Sequence, residues 1–331
     1  MDDDAAIRAS LESLGLLAKD EPLSLQALTG GVSSDIRLAE TPRQRFCVKR
    51  ALPRLKVAAV WEVPVGRSAS EAAFLRTASS LAPGLAPNLL GEDHEAGLFV
   101  MEYLDGADHP VWKAELLEGR ADPGFAALVG ERMAKLQAAA CAQPGLAETF
   151  ATDALFEALR LDPYLRATAQ AHPDLAPVLV GLADRTAATK LTLVHGDLSP
   201  KNILAGPDGP VLLDAECAWW GDPAFDLAFC LNHLALKSVH LPGARRELLE
   251  SFDRLAKTYL AGVSWEKRDA LEERAAMLLP GLMLARIDGK SPVEYLSEAS
   301  RETVRAGARN MLRTPPRSLS AFRLEFLRLH D

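Results

Sequence analysis

The sequence has little of what marks several large protein classes. Its four cysteines, Cys47, Cys141, Cys217 and Cys230, are scattered, form no CxxC pair and sit in apolar surroundings. Neither a disulfide framework nor a thiolate metal site is expected from them; they read as structural thiols of a reducing cytoplasm. No apolar run approaches the ~20 residues needed to cross a bilayer. The N-terminal "MDDDAAIRAS" lacks both the basic and the apolar region of a secretory signal. Net charge is −8 with acids and bases mixed along the chain, and no basic stripe stands out. Nucleic acid and membrane are therefore not expected partners. His94, His109, His172, His233, His240 and His330 share no spacing and read as structural or surface residues. There is no internal repeat and no low-complexity segment.

What is present is ordinary globular material in two styles. The 331 residues, 48% apolar and 25% charged, are enough for two lobes. Residues 2–17 read as a helix whose three aspartates suit its first turn. "LSLQALT", "DIRLAE" and "RFCVKRAL" alternate and are joined by the turn signals "GGVSS" and "TPRQ", an antiparallel meander. A helix follows over 68–81, then a strand at "LFVMEYL" (98–104). Beyond about residue 105 the chain is Ala/Leu/Arg-rich at helical spacing over 125–141, 151–170, 174–189, 225–238, 243–262, 266–289 and 292–313. The expected class is α+β: a small antiparallel lobe, 1–104, and a larger, mainly helical lobe, 105–331.

One stretch breaks the helical pattern. "LVHGDLSPKNILAGPDGPVLLDAECAWWGDPAFDLA" (193–228) sets acids among residues that read as buried. "NILA" and "VLLD" flank the turn signal "GPDGP", so a hairpin is expected in which paired residue numbers sum to about 415–416. That register brings Asn202 beside Asp214 at the open end of the hairpin, with Asp197 in the loop leading in. Glu216 points the same way as Asp214 if the extended backbone continues. Four oxygen donors so gathered suit a hard cation, Mg2+ before Zn2+. Without a cation or a proton, carboxylates this close would repel.

The run His195-Gly196-Asp197-Leu198-Ser199-Pro200-Lys201-Asn202 resembles the HGDxxxxN catalytic loop of the aminoglycoside phosphotransferase and choline kinase family. Asp214-Ala215-Glu216 resembles the metal-binding DxD/DxE element of that group, and "GDPAFDLA" its following segment. The resemblance implies a two-lobed, protein-kinase-like fold, ATP and Mg2+ as cofactors, and phosphoryl transfer to the hydroxyl of a small molecule. It implies that Asp197 orients that hydroxyl and accepts its proton, and that Asn202 and Asp214 hold Mg2+. By the same resemblance Glu216 would serve a second metal or touch the substrate. The resemblance also implies that His195 and Asp226 brace the loop, and Asp222 reads as a turn residue beside Pro223.

The same resemblance directs attention to the first lobe. "TGGVSSD" offers close backbone approach at Gly30 and Gly31 and hydroxyl donors at Ser33 and Ser34. In "RFCVKRALP", Phe46 and Val48 share one face and Cys47 and Lys49 the other; Lys49 is the expected phosphate ligand. Glu71 is its expected partner, with Glu62 and Glu102 as rivals. "VMEYL" resembles the hinge between lobes, whose backbone near Met101 to Tyr103 would bind adenine.

Within the family, "VKRALPRLKVAAVW", the DxE form and "LARIDGKSPVEYL" resemble the 5-methylthioribose kinase branch. The chain departs from it at "SPKN", which keeps the Asn of antibiotic and choline kinases, and at Ala285-Arg286, where a paired arginine is expected. Arg286 is a candidate contact for a sugar-like or anionic substrate. Of Trp219 and Trp220, one is expected in the core and the other beside the acceptor pocket. Two alternatives stand beside a metabolite kinase: an aminoglycoside-type antibiotic kinase, which would need an acidic pocket mouth, and a nucleotide-binding pseudokinase acting through partners.

Overall fold

Alternation in the first hundred residues becomes an antiparallel sheet. In the computed structural model, which describes residues 3–28, 34–51 and 67–330, its strands are β1 (Ser24–Ala27), β2 (Ser34–Glu40), β3 (Arg45–Ala51), β4 (Leu89–Asp93) and β5 (Leu98–Glu102). They lie in the order β1-β2-β3-β5-β4, each neighbouring pair antiparallel. The expected meander is the β1–β3 half. β4 was not expected: its "LLGED" carries a glycine and an irregular register at Leu89/Gly91 in place of clean alternation.

The two faces of β3 belong to separate cores. Phe46 and Val48 are buried in one cluster with Ile7, Leu11 and Leu17, so the helix Asp3–Ser13 and the turn after it cover that face. Cys47 lies on the other, in a cluster with Phe74 and Leu75 of the helix Arg67–Leu81 and with Phe99 and Met101 of β5. That cluster continues unbroken into the helical part of the chain. Lys49, on the same face as Cys47, is thus drawn out of solvent to 3% exposure.

The rest is mainly helical, as the periodicity predicts, with three departures. The helix expected over 151–170 runs from Asp153 to Ala171 but widens to π-type hydrogen bonding over Glu157–Arg166. Pro163 lies within that stretch and has no N–H to offer the ladder. The helix expected from 292 begins at Glu298, where the Ser297 side chain caps it by accepting the Ser300 N–H. Short helices at Trp112–Leu117 and Leu319–Leu327 have too few turns to show a period. Cys47, Cys217 and Cys230 are buried free thiols; Cys141, contrary to expectation, is exposed. Among the described residues no helix is long and apolar enough to cross a membrane.

Four short strands carry the unusual stretch: β6 (Thr192–Val194), β7 (Ile203–Gly206), β8 (Gly209–Leu212) and β9 (Trp219–Gly221). β7 and β8 form the hairpin in the expected register, Ile203 facing Leu212 and Gly206 facing Gly209. β6 pairs with β9, so the chain leaves one two-stranded ladder at Val194 and returns to it at Trp219. The acids between are thereby gathered into one place.

Behind them, the helices Pro123–Cys141 and Arg245–Ala261 pack closely. A Cβ at Gly130 would strike the Leu255 carbonyl and come within 2.7 Å of Thr258 Oγ1. The pair also fixes Gln137, whose Oε1 accepts from the Tyr259 hydroxyl. Gly130→Ala is therefore expected to destabilise the protein by about 1–3 kcal/mol, read as a lower urea midpoint at unchanged m value.

Candidate active site

The loop after β6 is held by its backbone. Asp226, buried at the start of the helix Ala224–His240, accepts the His195 N–H at 2.7 Å and the Gly196 N–H at 2.9 Å, with Gln137 Nε2 at 3.1 Å. His195 Nε2 lies 3.1 Å from the Leu213 carbonyl, and the Asp197 N–H donates to His195 Nδ1 at 3.2 Å. One tautomer satisfies both contacts, with the proton on Nε2. Burial pulls the His195 pKa down to about 4, so the ring is neutral. Gly196, at φ +77°, is where the loop crosses the Cys217 backbone, and a Cβ there would meet the Cys217 carbonyl at 2.5 Å. Asp222 is more than a turn residue. It is fully buried and takes a two-pronged contact from Arg274, Nε to Oδ2 at 3.0 Å and an Nη to Oδ1 at 3.0 Å, which ties the helix Arg268–Asp288 to this segment.

Asp197 is 3% exposed. Its Oδ2 is 2.9 Å from an Arg160 Nη and 3.0 Å from Lys201 Nζ. Burial alone would raise its pKa; the guanidinium and the ammonium outweigh burial and hold it below the usual carboxylate range. Asn202 donates through Nδ2 to the Asp197 carbonyl at 3.0 Å, and its own carbonyl accepts the Leu213 N–H at 2.9 Å. Its Oδ1 is left without a protein donor among the described residues.

Asp214 stands at the open end of the hairpin beside Asn202, with φ at 61°. That left-handed turn ends the extended path, so Glu216 does not follow Asp214 by strand alternation as expected. It lies instead in a turn closed by the Ala218 N–H on the Ala215 carbonyl. Its Oε2 is buried and lies 3.2 Å from Arg67 Nε, an ion pair without hydrogen-bond geometry. Lys49 Nζ reaches across from the sheet to Asp214 Oδ1 at 2.5 Å and to Glu71 at 2.7 Å. Burial would lower the Lys49 pKa, but Asp214 and Glu71 raise it above its ordinary value, so the ammonium is firmly charged. Of the rivals to Glu71, Glu102 is taken by Asn88 Nδ2 at 2.9 Å; Glu62 lies outside the described residues, as do Gly30, Gly31 and Ser33. Ser34 is buried at the start of β2. Met101 is buried in β5, and Tyr103 just beyond it carries Arg45 over its ring at 4.9 Å.

No set of three or more His, Cys, Asp or Glu side chains among the described residues is arranged to hold a metal ion alone. The oxygens of Asn202 and Asp214 left free among the described residues fit a different demand, while Glu216 Oε2 is already paired with Arg67. Mg2+ takes one or two carboxylates and shares the rest of its coordination with water and phosphate oxygens.

Beside Asp197 and Lys201 opens a cavity of about 190 Å3 that Arg286 also lines. Neither tryptophan lines it. Trp219 is core, stacked on Phe156 at 4.0 Å with Nε1 donating to Asp153; half-buried Trp220 pairs with Leu193 in the β6–β9 ladder. Lys201 was inside the quoted motif, four residues after Asp197, and that spacing alone could have singled it out. Arg160 sits in "LFEALRLDPYL", where nothing local separates it from a surface arginine.

Among proteins of known structure, the fold is similar to a choline/ethanolamine kinase family protein from Mesorhizobium loti, with TM-score 0.57 and 20% identity over 96% of this chain and 99% of that one. It is also similar to the amicoumacin kinase hAmiN, solved in complex with AMP-PNP, Ca2+ and Ami, with TM-score 0.56 and 14% identity over 96% of each. In sequence it is 29% identical over 257 residues to the methylthioribose kinase of Pectobacterium atrosepticum, covering 66% of this chain and 62% of that protein. With the methylthioribose kinase of Yersinia pseudotuberculosis it shares 28% over 225 residues, covering 60% and 55%. The chain thus spans about three-fifths of the length of the curated relatives it matches. The α+β, protein-kinase-like fold implied by the HGDxxxxN loop is the one found, and the family described as "Phosphotransferase enzyme family" matches residues 24–273: the chain belongs to that family.

Proposed function

We propose that the protein is an ATP-dependent kinase that moves a γ-phosphoryl group to a hydroxyl of a small, sugar-like metabolite. One observation carries this most: Lys49, on a strand of the sheet, reaches Asp214 at the mouth of the hairpin and is backed by Glu71. A cation anchored on one part of the chain and aimed at a carboxylate of another is what a phosphate chain lying between them requires. The likeness in sequence to methylthioribose kinases supports a sugar-like acceptor.

In this reading the division at residues 104 and 105 separates a nucleotide-binding lobe from a catalytic one. Lys49 meets the phosphates, helped by the backbone of Gly30 and Gly31 and the hydroxyls of Ser33 and Ser34, while the backbone near Met101 and Tyr103 meets adenine. Asn202 and Asp214 would hold Mg2+, with Glu216 able to serve a second ion or the acceptor. The ion supplies neutralisation of phosphate charge. Asp197 faces the acceptor. Its depressed pKa makes it a weak base, so its first task is to orient the hydroxyl by accepting its hydrogen bond. It takes the proton only once phosphoryl transfer has acidified the hydroxyl. Arg160 positions Asp197 and keeps it ionised. A pseudokinase is disfavoured because Lys49, Asp197, Asn202 and Asp214 are all present. An aminoglycoside-type acceptor is disfavoured because the cavity beside Asp197 carries Lys201 and Arg286.

Asp197→Asn is expected to cut acceptor-dependent ATP turnover by at least about 10^2-fold while leaving the affinity for Mg-ATP, measured by calorimetry, nearly unchanged. Unaltered turnover in that variant would remove Asp197 from the reaction. Arg160 gives a pH prediction. Without its guanidinium, burial raises the Asp197 pKa, and because the ionised form is the active one the acid limb of kcat/KM moves to higher pH. Arg160→Gln should move that limb by about one pH unit, and Arg160→Lys should restore part of the shift. A pH–rate profile whose acid limb stays in place in Arg160→Gln would contradict this.

A further inference from the structure

The cavity beside Asp197 holds cations that no described residue compensates. Lys237 lines it from the helix Ala224–His240. It is 1% exposed, yet its ammonium has no hydrogen bond or ion pair among the described residues; it only lies over the Tyr295 ring at 5.1 Å. Arg286 lines the same space from the helix Arg268–Asp288. Its guanidinium meets the Ser291 hydroxyl at 2.7 Å, the Ser291 carbonyl and the Tyr164 hydroxyl at 3.4 Å, all neutral groups, and its Nε is buried without a partner. The Tyr295 hydroxyl is likewise buried and has no partner among the described residues. The cavity has two carboxylates, and both are engaged: Asp197 by Arg160 and Lys201, Glu294 by Lys113.

A buried ammonium without a counter-ion is costly, and proteins seldom keep one unless a ligand supplies the missing charge. We propose that the acceptor is an anion, a small hydroxylated molecule bearing a carboxylate or a phosphate group, whose hydroxyl meets Asp197 and whose anionic group is held by Lys237 and Arg286. This rests on the kinase reading above for the fate of the hydroxyl, but not for the anion site. The groups acting on Lys237 are Lys113 from the helix Trp112–Leu117, Arg286, Glu294 and Tyr295 from the segment after it, and Cys230 and His233 on its own helix. Burial, then Lys113 and Arg286, pull its pKa down to about 7. Burial also keeps His233 neutral, so it adds no charge. A bound anion offsets both effects on Lys237, so at pH 7.5 binding should draw a proton onto it.

The test uses the full chain with its nucleotide site filled by ADP. Calorimetry compares glycerol with D-glycerate and glycerol 3-phosphate, and ribose with ribonate and ribose 5-phosphate, in two buffers of different ionisation enthalpy. At least one anion is expected to bind at least ~10-fold tighter than its neutral counterpart, with proton uptake, and the carboxylate and phosphate arms identify the anionic group. Lys237→Met should abolish the uptake and the preference, Arg286→Gln should weaken the preference, and neither should change ADP affinity. Because Met removes a buried unpaired charge below pH 7, where Lys237 is protonated, Lys237→Met should also raise the Tm of the ligand-free protein at pH 6, the opposite of what loss of a structural lysine does. Equal binding of neutral and anionic members throughout, or a preference that survives Lys237→Met, overturns the proposal. Lys237-dependent anion binding without ATP turnover on any acceptor would overturn the kinase reading and keep the anion site. Turnover that favours the neutral acceptors would do the reverse.

Discussion

Carboxylates removed from water must be answered by cations or by N–H groups, and in this protein the answers come from far along the chain. Asp197 is met by Arg160 of the π-type helix, Asp214 by Lys49 of the sheet, Glu216 by Arg67 of the helix after it, and Asp222 by Arg274 of a helix near the C-terminal end. Asp226 is met by two backbone N–H groups and Gln137. Thirty residues of sequence thus call on five separate elements. Until all five are in place some carboxylate stays buried and uncompensated, which is costly enough to disfavour alternative packings. The net stability such pairs add is small; what they specify is the arrangement.

Lys49 shows how specification and chemistry meet. It is buried because β3 turns Cys47 and Lys49 toward the main core, and a lysine buried there without acids would lose its proton. Glu71 and Asp214 prevent this, but unequally. Glu71 is 2% exposed, and burial pushes its pKa up to about 7. Asp214 is 28% exposed at the side chain, sits at a positive φ, and has a second oxygen that meets no donor among the described residues. Of the two partners Asp214 is the one able to exchange the ammonium for another cation without losing its own solvation. The Glu71 side of the chain is fixed and the Asp214 side is open.

Much of this was legible in the sequence, and what was legible was local. Alternation at Phe46, Cys47, Val48 and Lys49 gave the two faces of a strand, and "GPDGP" between two apolar runs gave a hairpin whose register needs only the turn position. The path beyond Asp214 could not be read, since a non-glycine residue at positive φ leaves no mark in composition, and a turn replaces the extended continuation expected to reach Glu216. Arg160, Arg67 and Lys237 stand in helices where a lone basic residue reads as surface. Only the packing of distant elements tells a buried cation from an exposed one. One tryptophan is in the core as expected, but which one could not be read, because a pair in one short strand points to opposite faces and the ladder partner decides what each face meets.

The distribution of compensation also bears on selectivity. On the Lys49 side each buried carboxylate already has a cation, so what enters there must compete for charge. On the Lys237 side two cations face space with no acid to spare, because Lys113 takes Glu294 while Arg160 and Lys201 take Asp197. A polycation entering that space would add to an existing excess of positive charge, and a neutral polyol would bury Lys237 further without offsetting its charge. On the proposal made above, an anion is favoured there because its binding lowers the cost of holding Lys237 protonated in the cavity. Discrimination of this kind arises as much from what the site repels as from what it attracts.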